Sequence, residues 1–265
     1  MTSDFEMIVH HFDEDITIIP IADVHLGSRE CREQEFISFI DSIKDKPNVY
    51  LILGGDLCDN GTRNAVTDIF KATIPPSAQR KMMAKILEPV RNKVLCGVSG
   101  NHERRSGKDA DFDPMFSIMS KLDLEDRYRE DIAFLKIQMG AQLSESGQRT
   151  HGYERPAYHI VVTHGHGGGQ LTSGAVLRGE RSAYAVDGAD LFIFAHTHKP
   201  FLTQPGKIVI DPRNNKVSIK PFKVMCMTSW INYGGYAAQK MLLPSSHALQ
   251  TITLSSKRKE MVVTM

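Results

Sequence analysis

An apolar run that ends in two glycines and an aspartate is the feature that most constrains how this chain can fold. The segment Val49–Leu53 is continuously apolar, which is typical of a parallel strand buried on both faces. Gly54 and Gly55 follow, and they lack the side chains that would hold backbone or ligand at a distance. Open α/β sheets bind ligands at the carboxyl ends of their strands, so Asp56 is a candidate site residue. Taken alone, the segment fits an ordinary turn better than a site.

The length and composition are those of an ordinary globular protein. The chain has 265 residues, of which 41% are hydrophobic and 24% charged, and this composition argues against disorder. We expect a single domain over residues 1–265. The formal net charge of +1 gives no global field that would recruit nucleic acid or an anionic membrane, although a local basic patch remains open.

The cysteines and the first residues predict a cytoplasmic protein. The four cysteines are widely spaced without a CxxC pair, which favours reduced thiols over a disulfide framework or a zinc knuckle. The segment MTSDFEMIVHHF lacks the basic and apolar regions of a signal peptide. No apolar run approaches the ~20 residues of a membrane span, so we expect no association with membranes.

The predicted order of elements is that of an α/β fold. The β-branched run Ile16–Ala22 precedes a segment with helical spacing of apolar residues, Glu30–Lys44, and then the strand Val49–Leu53, which together indicate a βαβ crossover. Helices are also predicted over Thr62–Lys71, Ser77–Val90, Asp113–Leu122 and Ala175–Ala185, and strands over Met7–Phe12, Lys93–Val98, Ile132–Met139, Ala157–Thr163 and Leu191–Phe194. The segment Leu143–Arg155 is predicted to be an exposed, mobile loop, and Ile208–Met265 alternates strand-like runs with turns.

Side chains that can bind metal follow five of the predicted strands. They are Asp23, His25, Asp56, Asn101, His102, His164, His196 and His198. Oxygen and imidazole donors without thiolates suit manganese, iron, nickel or zinc. Because strand side chains alternate with period two, we expect the members of each D-x-H or H-x-H pair to lie on one face of an extended segment. A single histidine is more often a core or surface residue, but a chain with 11 histidines does not gather so many at strand ends by accident.

Five motifs in this order, D-x-H, G-D, G-N-H-E, H-G and H-x-H, resemble the signature of the calcineurin-like metallophosphoesterase superfamily. They extend from Asp23 to His198. The resemblance implies an α/β fold of the four-layer α/β/β/α sandwich type, with two mixed β-sheets and a metal site at the carboxyl ends of the central strands. Within the superfamily, ADVHLGS and GNHE are similar to the nuclease subunits of double-strand-break repair complexes and to phage-encoded phosphoesterases.

The resemblance also implies two divalent metal ions, with manganese favoured and iron, zinc or nickel as alternatives. One metal would be held by Asp23, His25, Asp56 and His198, and the other by Asp56, Asn101, His164 and His196. The shared carboxylate of Asp56 would relieve the repulsion between two close cations. A hydroxide that bridges the metals would attack phosphorus, because the metals lower the pKa of bound water.

Further roles follow from the same resemblance. His102 is implied as the catalytic histidine that protonates the leaving oxygen or stabilises the transition state, since imidazole titrates near neutral pH. Asp59 matches an acidic residue that orients a ligand histidine, with a turn or N-cap as the alternative. Ala195 stands where the family usually has glycine. His166 could also reach the metal, but we choose His164 because a glycine follows it directly.

Basic and aromatic side chains near the motifs are candidate substrate contacts. The basic candidates are Arg104, Arg105, His166 and Arg178. Arginine binds phosphate oxygens in a bidentate manner, and the alternative is that these are solvated loop charges. Trp230, near Tyr233 and Tyr236, could stack on a nucleobase, but a core or edge-strand position is favoured.

The resulting prediction is a metal-dependent phosphodiesterase that acts on nucleic acid or nucleotides. A phosphomonoesterase acting on phosphoprotein or a small metabolite is the alternative among enzymes, and a non-catalytic scaffold of the same fold is a third reading. Scaffolds usually have eroded ligands, whereas every ligand position is filled here. The expected partners are a phosphoester such as DNA, RNA or a nucleotide, together with a protein partner or a second copy in a homodimer.

Overall fold

The computed structural model describes residues 5–62, 69–140 and 155–265. Its helices are α1 (Glu33–Ile43), α2 (Pro76–Leu87), α3 (Asn101–Ala110), α4 (Pro114–Lys121), α5 (Thr172–Tyr184) and α6 (Gly235–Gln239). Its strands are β1 (Met7–Phe12), β2 (Ile16–Ile21), β3 (Val49–Leu53), β4 (Val94–Val98), β5 (Tyr128–Arg129), β6 (Ile132–Met139), β7 (Ala157–Thr163), β8 (Leu191–Phe194), β9 (Phe201–Thr203), β10 (Gly206–Asp211), β11 (Lys216–Pro221), β12 (Lys223–Cys226), β13 (Thr251–Leu254) and β14 (Met261–Thr264). Short 3-10 turns cover Ile69–Lys71, Glu88–Lys93 and Glu125–Arg127.

The first sheet has six strands in the order β14-β13-β2-β3-β4-β5. Strands β2 to β5 are parallel to one another, whereas β13 runs antiparallel to both β14 and β2. Helix α1 joins the parallel neighbours β2 and β3, which confirms the predicted βαβ crossover. Strand β3, which carries the Gly-Gly-Asp segment at its end, is therefore a central strand.

The second sheet also has six strands, in the order β1-β6-β7-β8-β12-β9. It is mixed, because β7, β8 and β12 are parallel while β6 and β9 run antiparallel to their neighbours β7 and β12. Strands β10 and β11 form a separate antiparallel hairpin in which Ile208 pairs with Ile219. The two sheets supply the strands that lead to the predicted ligands.

Three buried apolar clusters divide the fold into four layers. Ile18, Ile52 and Ile160 belong to the cluster between the two sheets. A second cluster joins the first sheet to α1, α2 and α4, and a third joins the second sheet to α5. Helices or sheets that are apolar on one side bury that side against the next layer. The predicted four-layer α/β/β/α sandwich with two mixed sheets is confirmed.

Most predicted elements are present with ends that differ by a few residues, but α3 was not predicted. Its sequence, NHERRSGKDA, is almost entirely polar and therefore has no apolar periodicity. Strands β5 and β9 were missed because they have only 2 and 3 residues. Within the helix predicted at Thr62–Lys71, residues 63–68 lie outside the described residues, as does nearly all of the predicted loop Leu143–Arg155.

The structure also describes the cysteines, Trp230 and the apolar character of the helices. The four cysteines are free thiols. The side chain of Trp230 is 6% exposed and packs against Phe36 and Phe39, in agreement with the core position that the sequence favours. Among the described helices, none combines the length and apolar character needed to cross a membrane.

Candidate metal centre

The predicted ligands lie where the carboxyl ends of strands from both sheets converge. Asp23 and His25 follow β2, Asp56 follows β3 and Asn101 follows β4 in the first sheet, while His164 follows β7 and both His196 and His198 follow β8 in the second. Six of these seven residues fall into two compact groups of ligand atoms, one with Asp23, His25 and His198 and one with Asp56, His164 and His196. A third group joins His25 and Asp56 to His102. The centre is thus assembled from two sheets.

The backbone at these positions is left-handed, and the prediction that the D-x-H and H-x-H pairs lie on extended segments is wrong. Strands β2 and β8 end before the pairs begin. The φ angles are 51° at Asp23, 48° at His25, 50° at Asp56, 66° at His196 and 53° at His198. Asp, Asn and His are the residues outside glycine that adopt positive φ most readily, and each such residue costs roughly 1–3 kcal/mol. Left-handed turns after the strands, and not the alternation of side chains along a strand, therefore direct these five ligands towards the centre.

The first group has polar atoms that nothing in the described protein satisfies. Nε2 of His198 lies 3.2 Å from Oδ1 of Asp23, and Nε2 of His25 lies 3.8 Å from the same oxygen. The other carboxylate oxygen of Asp23 accepts a hydrogen bond from the backbone N–H of His196 at 3.0 Å. Asp23 Oδ1 and His25 Nε2 are buried and have no hydrogen-bond partner among the described residues. Because buried polar atoms are nearly always paired, this pair of unpaired donor atoms fits a cation.

The second group surrounds Asp56 and Asn101. Nε2 of His164 lies 3.2 Å from Oδ2 of Asp56 and 3.0 Å from Oδ1 of Asn101. Nδ1 of His196 lies 2.6 Å from that same Asn101 oxygen. His164 donates from Nδ1 to the carbonyl oxygen of Gly54 at 2.7 Å, so Nε2 faces the group. A backbone acceptor on the far ring nitrogen is the usual way in which a metal-binding histidine is oriented.

Asp56 belongs to the second group and also reaches the first. Its Oδ2 atom, 3.2 Å from Nε2 of His164, is also 3.8 Å from Nε2 of His25. Its Oδ1 atom accepts a hydrogen bond from the backbone N–H of His102 at 2.8 Å, which fixes the carboxylate. One carboxylate oxygen therefore faces histidines of both groups.

The pKa values of the buried histidines and of Asp56 depend strongly on one another. Burial, with His102 nearby, lowers the pKa of His25 to about 4, so this ring is in the neutral form that binds metal. Burial alone would lower the pKa of His164, but the Asp56 carboxylate outweighs it and raises the pKa to about 9. Burial alone would raise the pKa of Asp56, but His164 and His102 hold it well below its usual value. His164 and Asp56 therefore interact strongly as an imidazole–carboxylate pair.

His102 is held beside the centre with one ring nitrogen directed into it. Its Nδ1 donates to the carbonyl oxygen of Asp59 at 2.6 Å, and its Nε2 lies 3.9 Å from Oδ2 of Asp56. Oδ1 of Asp59 is 3.5 Å from Nδ1 of His102 and 4.0 Å from Nδ1 of His25. The backbone carbonyl of Asp59 therefore fixes the His102 ring, and the Asp59 carboxylate lies near both histidines without a hydrogen bond to either.

Residues 16–200 match the family model of the calcineurin-like phosphoesterases. The chain belongs to the calcineurin-like phosphoesterase family. The matched range contains every predicted metal ligand and His102, and membership makes the chain a metal-dependent phosphoester hydrolase.

Two solved structures resemble this phosphoesterase at low identity. A conserved uncharacterized protein from Streptococcus pneumoniae TIGR4, described as a predicted phosphoesterase, is 10% identical with a TM-score of 0.36, and the alignment covers 94% of this chain and 98% of that one. The NAD nucleotidase of Haemophilus influenzae is 10% identical with a TM-score of 0.40, and the alignment covers 95% of this chain and 49% of that one. No curated protein matches the chain.

Glu103 is a residue of the phosphoesterase site that sequence reasoning missed. Its Oε2 atom accepts hydrogen bonds from the backbone N–H groups of Asp56 at 2.8 Å and Gly100 at 3.0 Å, and its Oε1 atom accepts one from Cys58 at 3.1 Å. Burial, together with the charge of Asp56, raises the pKa of Glu103 to about 7. A signal was present in the sequence, because a glutamate three residues after a helix N-cap is the pattern of a capping box.

Two glycines allow the loops of the phosphoesterase to approach each other closely. A Cβ atom on Gly100 would lie 2.0 Å from Oδ1 of Asp56, and one on Gly55 would lie 2.4 Å from the backbone nitrogen of Gly100. Gly55 also has a φ of 86°. The glycines that precede Asp56 and Asn101 are therefore required by close packing of the two loops and not only by turn formation.

The arginines predicted to contact substrate are placed differently from one another. Arg105 lies beside the centre, with one guanidinium nitrogen 3.1 Å from Nδ1 of His102. The guanidinium group of Arg104 instead donates to the carbonyl oxygens of Ser99 and Glu130 and lies 3.1 Å from Asp131. The guanidinium group of Arg104 is thus bound to residues next to β4 and β5.

Arg178, His166 and Ala195 are the remaining positions singled out by the sequence. Arg178 lies under the glycine-rich loop, so close that a Cβ on Gly167 would be 3.0 Å from its Cδ. His166 is exposed, whereas His164 is fully buried in the centre. Ala195 has no positive φ, and its N–H donates to the carbonyl oxygen of His164 at 3.0 Å, so alanine is accommodated where the family usually has glycine.

A cavity of about 440 Å³ opens at the centre of the phosphoesterase. Its floor is formed by Asp56, Asn101, His102 and His198. Lys199, which sequence reasoning did not select, also lines it and is 7% exposed. The described residues that line the cavity include Gly167 to Gly169 but none of the four predicted substrate contacts, Arg104, Arg105, His166 and Arg178.

Proposed function

We propose that this phosphoesterase is a dinuclear metal-dependent phosphodiesterase that acts on nucleic acid or nucleotides. The observation that carries the proposal is the pair of neighbouring ligand groups, both of which face one oxygen of the Asp56 carboxylate. A cavity that extends beyond the ligands supports a substrate with a second organic group on phosphorus, as in a diester.

The residues fit two divalent cations. One would be held by Asp23, His25, Asp56 and His198, and the other by Asp56, Asn101, His164 and His196. Oxygen and imidazole donors favour manganese, with iron, zinc or nickel as alternatives. The bound metals supply a water of lowered pKa as nucleophile and neutralise charge on the phosphoryl oxygens.

His102 is proposed to protonate the leaving oxygen. Its Nδ1 is engaged by the carbonyl oxygen of Asp59 at 2.6 Å, so the proton is delivered from Nε2, on the side of the ring that faces Asp56. Asp59 holds the ring in that orientation.

Cationic side chains around the cavity are proposed to bind the phosphate oxygens. Arg105 is adjacent to His102, and Lys199 lines the cavity. Arg178 packs against the glycine-rich loop, whose residues Gly167 to Gly169 line the cavity, and its guanidinium is proposed to add positive charge behind that loop.

The test is hydrolysis of bis(p-nitrophenyl) phosphate and p-nitrophenyl phosphate with manganese, together with measurement of bound metal. We expect faster hydrolysis of the diester, and loss of both turnover and metal in Asp56→Asn. Asp41→Asn, a change at an exposed residue of α1, is the matched control. Preference for the monoester would establish a phosphomonoesterase, and undiminished turnover in Asp56→Asn would refute the proposed centre.

A further inference from the structure

A long excursion of the chain covers one side of the metal centre. After β12 the chain leaves the second sheet, and it enters the first sheet at β13. Within residues 227–250, all of which the structure describes, α6 is the only helix or strand. Connections longer than about 12–15 residues with little regular structure are usually functional. Part of this excursion forms what we call the aromatic wall, which consists of Ile231, Tyr233, Tyr236, Leu242, Leu243 and Pro244.

The aromatic wall and the metal ligands share one cavity. All six of its residues line the same cavity of about 440 Å³ as Asp56, Asn101 and His198. This volume lies in the range of roughly 300–1,000 Å³ that is usual for small-molecule sites. The cavity is therefore lined both by metal ligands and by the apolar and aromatic groups of the wall.

The wall presents apolar surface that the described protein leaves uncovered. Tyr233 is 49% exposed, Tyr236 48% and Leu243 52%. Exposed apolar side chains scattered singly are normal, but a contiguous group in a concave site indicates a ligand. These three side chains belong to one segment and line one cavity.

The wall is anchored at both ends. The N–H of Asn232 donates to the carbonyl oxygen of Glu30 at 2.8 Å, and Ile231 forms a β-bridge with Cys31. At the other end, the hydroxyl of Thr228 donates to the carbonyl oxygen of Ala248 at 2.7 Å. A surface that is held in place before binding loses little conformational freedom on binding.

We propose that the aromatic wall binds the ring of one unpaired nucleobase while the phosphoester lies at the metal ligands. The inference rests on the proposed function and adds the part of the substrate that is recognised. The faces of Tyr233 and Tyr236 provide stacking surface. Glu30 and Asn232 also line the cavity and offer hydrogen-bonding groups for the edge of a heterocycle, which an alkyl chain could not use.

The wall selects for a base that is free of its neighbours. A base within a duplex has both faces covered, and its extrusion costs unstacking and unpairing energy. The substrates are therefore nucleotides and single-stranded ends, and duplex interiors are poor substrates.

The first test compares two diesters with the same leaving group, thymidine 5′-(p-nitrophenyl phosphate) and methyl p-nitrophenyl phosphate. We expect kcat/KM to favour the nucleoside ester, and the ratio of the two values to fall about tenfold in Tyr233→Ala or Tyr236→Ala. Tyr233→Phe and Tyr236→Phe keep the ring and should keep the ratio. Met241→Ala is the matched control, because Met241 is 82% exposed in the same segment and does not line the cavity. Equal losses on both substrates in the alanine variants would make the wall merely structural and overturn the proposal.

A second measurement tests base binding by the wall independently of the proposed catalytic activity. Calorimetry with manganese present compares the affinities of thymidine 5′-monophosphate and inorganic phosphate. Tighter binding of the nucleotide than of phosphate, lost in the alanine variants, would support base binding by the wall. Failure to hydrolyse either diester would refute the proposed function but not this binding. Equal affinity for nucleotide and phosphate overturns the wall. Equal cleavage rates for a duplex and its single strand would overturn the preference for an unpaired base.

Discussion

Oε2 of Glu103 accepts a hydrogen bond from the backbone N–H of Asp56 at 2.8 Å and so ties the start of α3 to the loop that carries the central carboxylate. A second hydrogen bond joins the same two segments in the opposite sense, because Oδ1 of Asp56 accepts from the backbone N–H of His102 on α3. Movement of either loop would therefore displace both the central carboxylate and the proposed proton donor.

Glu103→Gln should destabilise the protein and weaken metal binding. An amide oxygen replaces one of the two acceptor atoms and an NH2 group replaces the other, so a donor now faces a backbone donor. At pH 8, we expect the free energy of unfolding to fall by about 2–3 kcal/mol, measured by urea denaturation of metal-free protein. Glu88→Gln, at an exposed residue in the 3-10 turn after α2, should change it by less than about 0.5 kcal/mol. Equal stability of the two variants would show that the three backbone bonds to Glu103 are unimportant.

Gly100→Ala should impair the site through contact alone. The φ of Gly100 is −90°, which alanine adopts without strain, but its Cβ would lie 2.0 Å from Oδ1 of Asp56. We expect loss of bound metal and destabilisation by about 1–3 kcal/mol. Gly107→Ala in the same helix is the control, since a Cβ there meets nothing within 4 Å and should stabilise by about 0.5–1 kcal/mol. Retention of metal by Gly100→Ala would contradict the close approach of the two loops.

His102→Gln should separate chemistry from metal binding. Its ring is the proposed proton donor and is not among the proposed ligands, so kcat should fall by about 10²- to 10⁴-fold while bound metal stays at the wild-type level. The measurements are steady-state kinetics with bis(p-nitrophenyl) phosphate and elemental analysis. His11→Gln, at an exposed position on β1, should leave both unchanged. Loss of metal in His102→Gln would place His102 among the ligands.

Tyr158→Phe should destabilise the sandwich without affecting the site. The Tyr158 hydroxyl on β7 of the second sheet lies 2.8 Å from the carbonyl oxygen of Ser255 and accepts a hydrogen bond from the N–H of Glu260 at 2.9 Å, both in the turn between β13 and β14 of the first sheet. Its loss should lower the free energy of unfolding by about 1–3 kcal/mol, with normal kcat at 25 °C. Tyr184→Phe, whose hydroxyl is 3.5 Å from its acceptor at the surface, is the control, and a change as large there would rule out a special role for Tyr158.

The sequence predicts where the strands end. An apolar run indicates a buried strand, and a glycine directly after it indicates a loop that another part of the chain approaches closely. The sequence predicts Asp56 after β3, the D-x-H pair after β2 and the H-x-H pair after β8. It could not predict the left-handed turns, since these depend on the loops of two sheets packing on each other. Helix α3 was missed for a related reason: only His102 and Glu103 of that helix are buried, so its face has no apolar pattern to read.

The aromatic wall also shows what the sequence could not predict, namely which aromatic rings are buried. The sequence singled out Trp230, Tyr233 and Tyr236 together, but their spacing alone does not distinguish the buried ring from those that line the cavity. Packing on Phe36 and Phe39 removes Trp230 from solvent and leaves the two tyrosines beside the cavity.

Because the candidate ligands come from two separate sheets, the site does not exist until those sheets have docked. Asp23 and His198 meet only when the ends of β2 and β8 are brought together across the fold, a contact of high sequence separation that forms slowly. On refolding, recovery of catalysis should therefore lag behind recovery of the circular dichroism signal. Enzymatic activity in this chain is a kinetic marker for the last step of assembly.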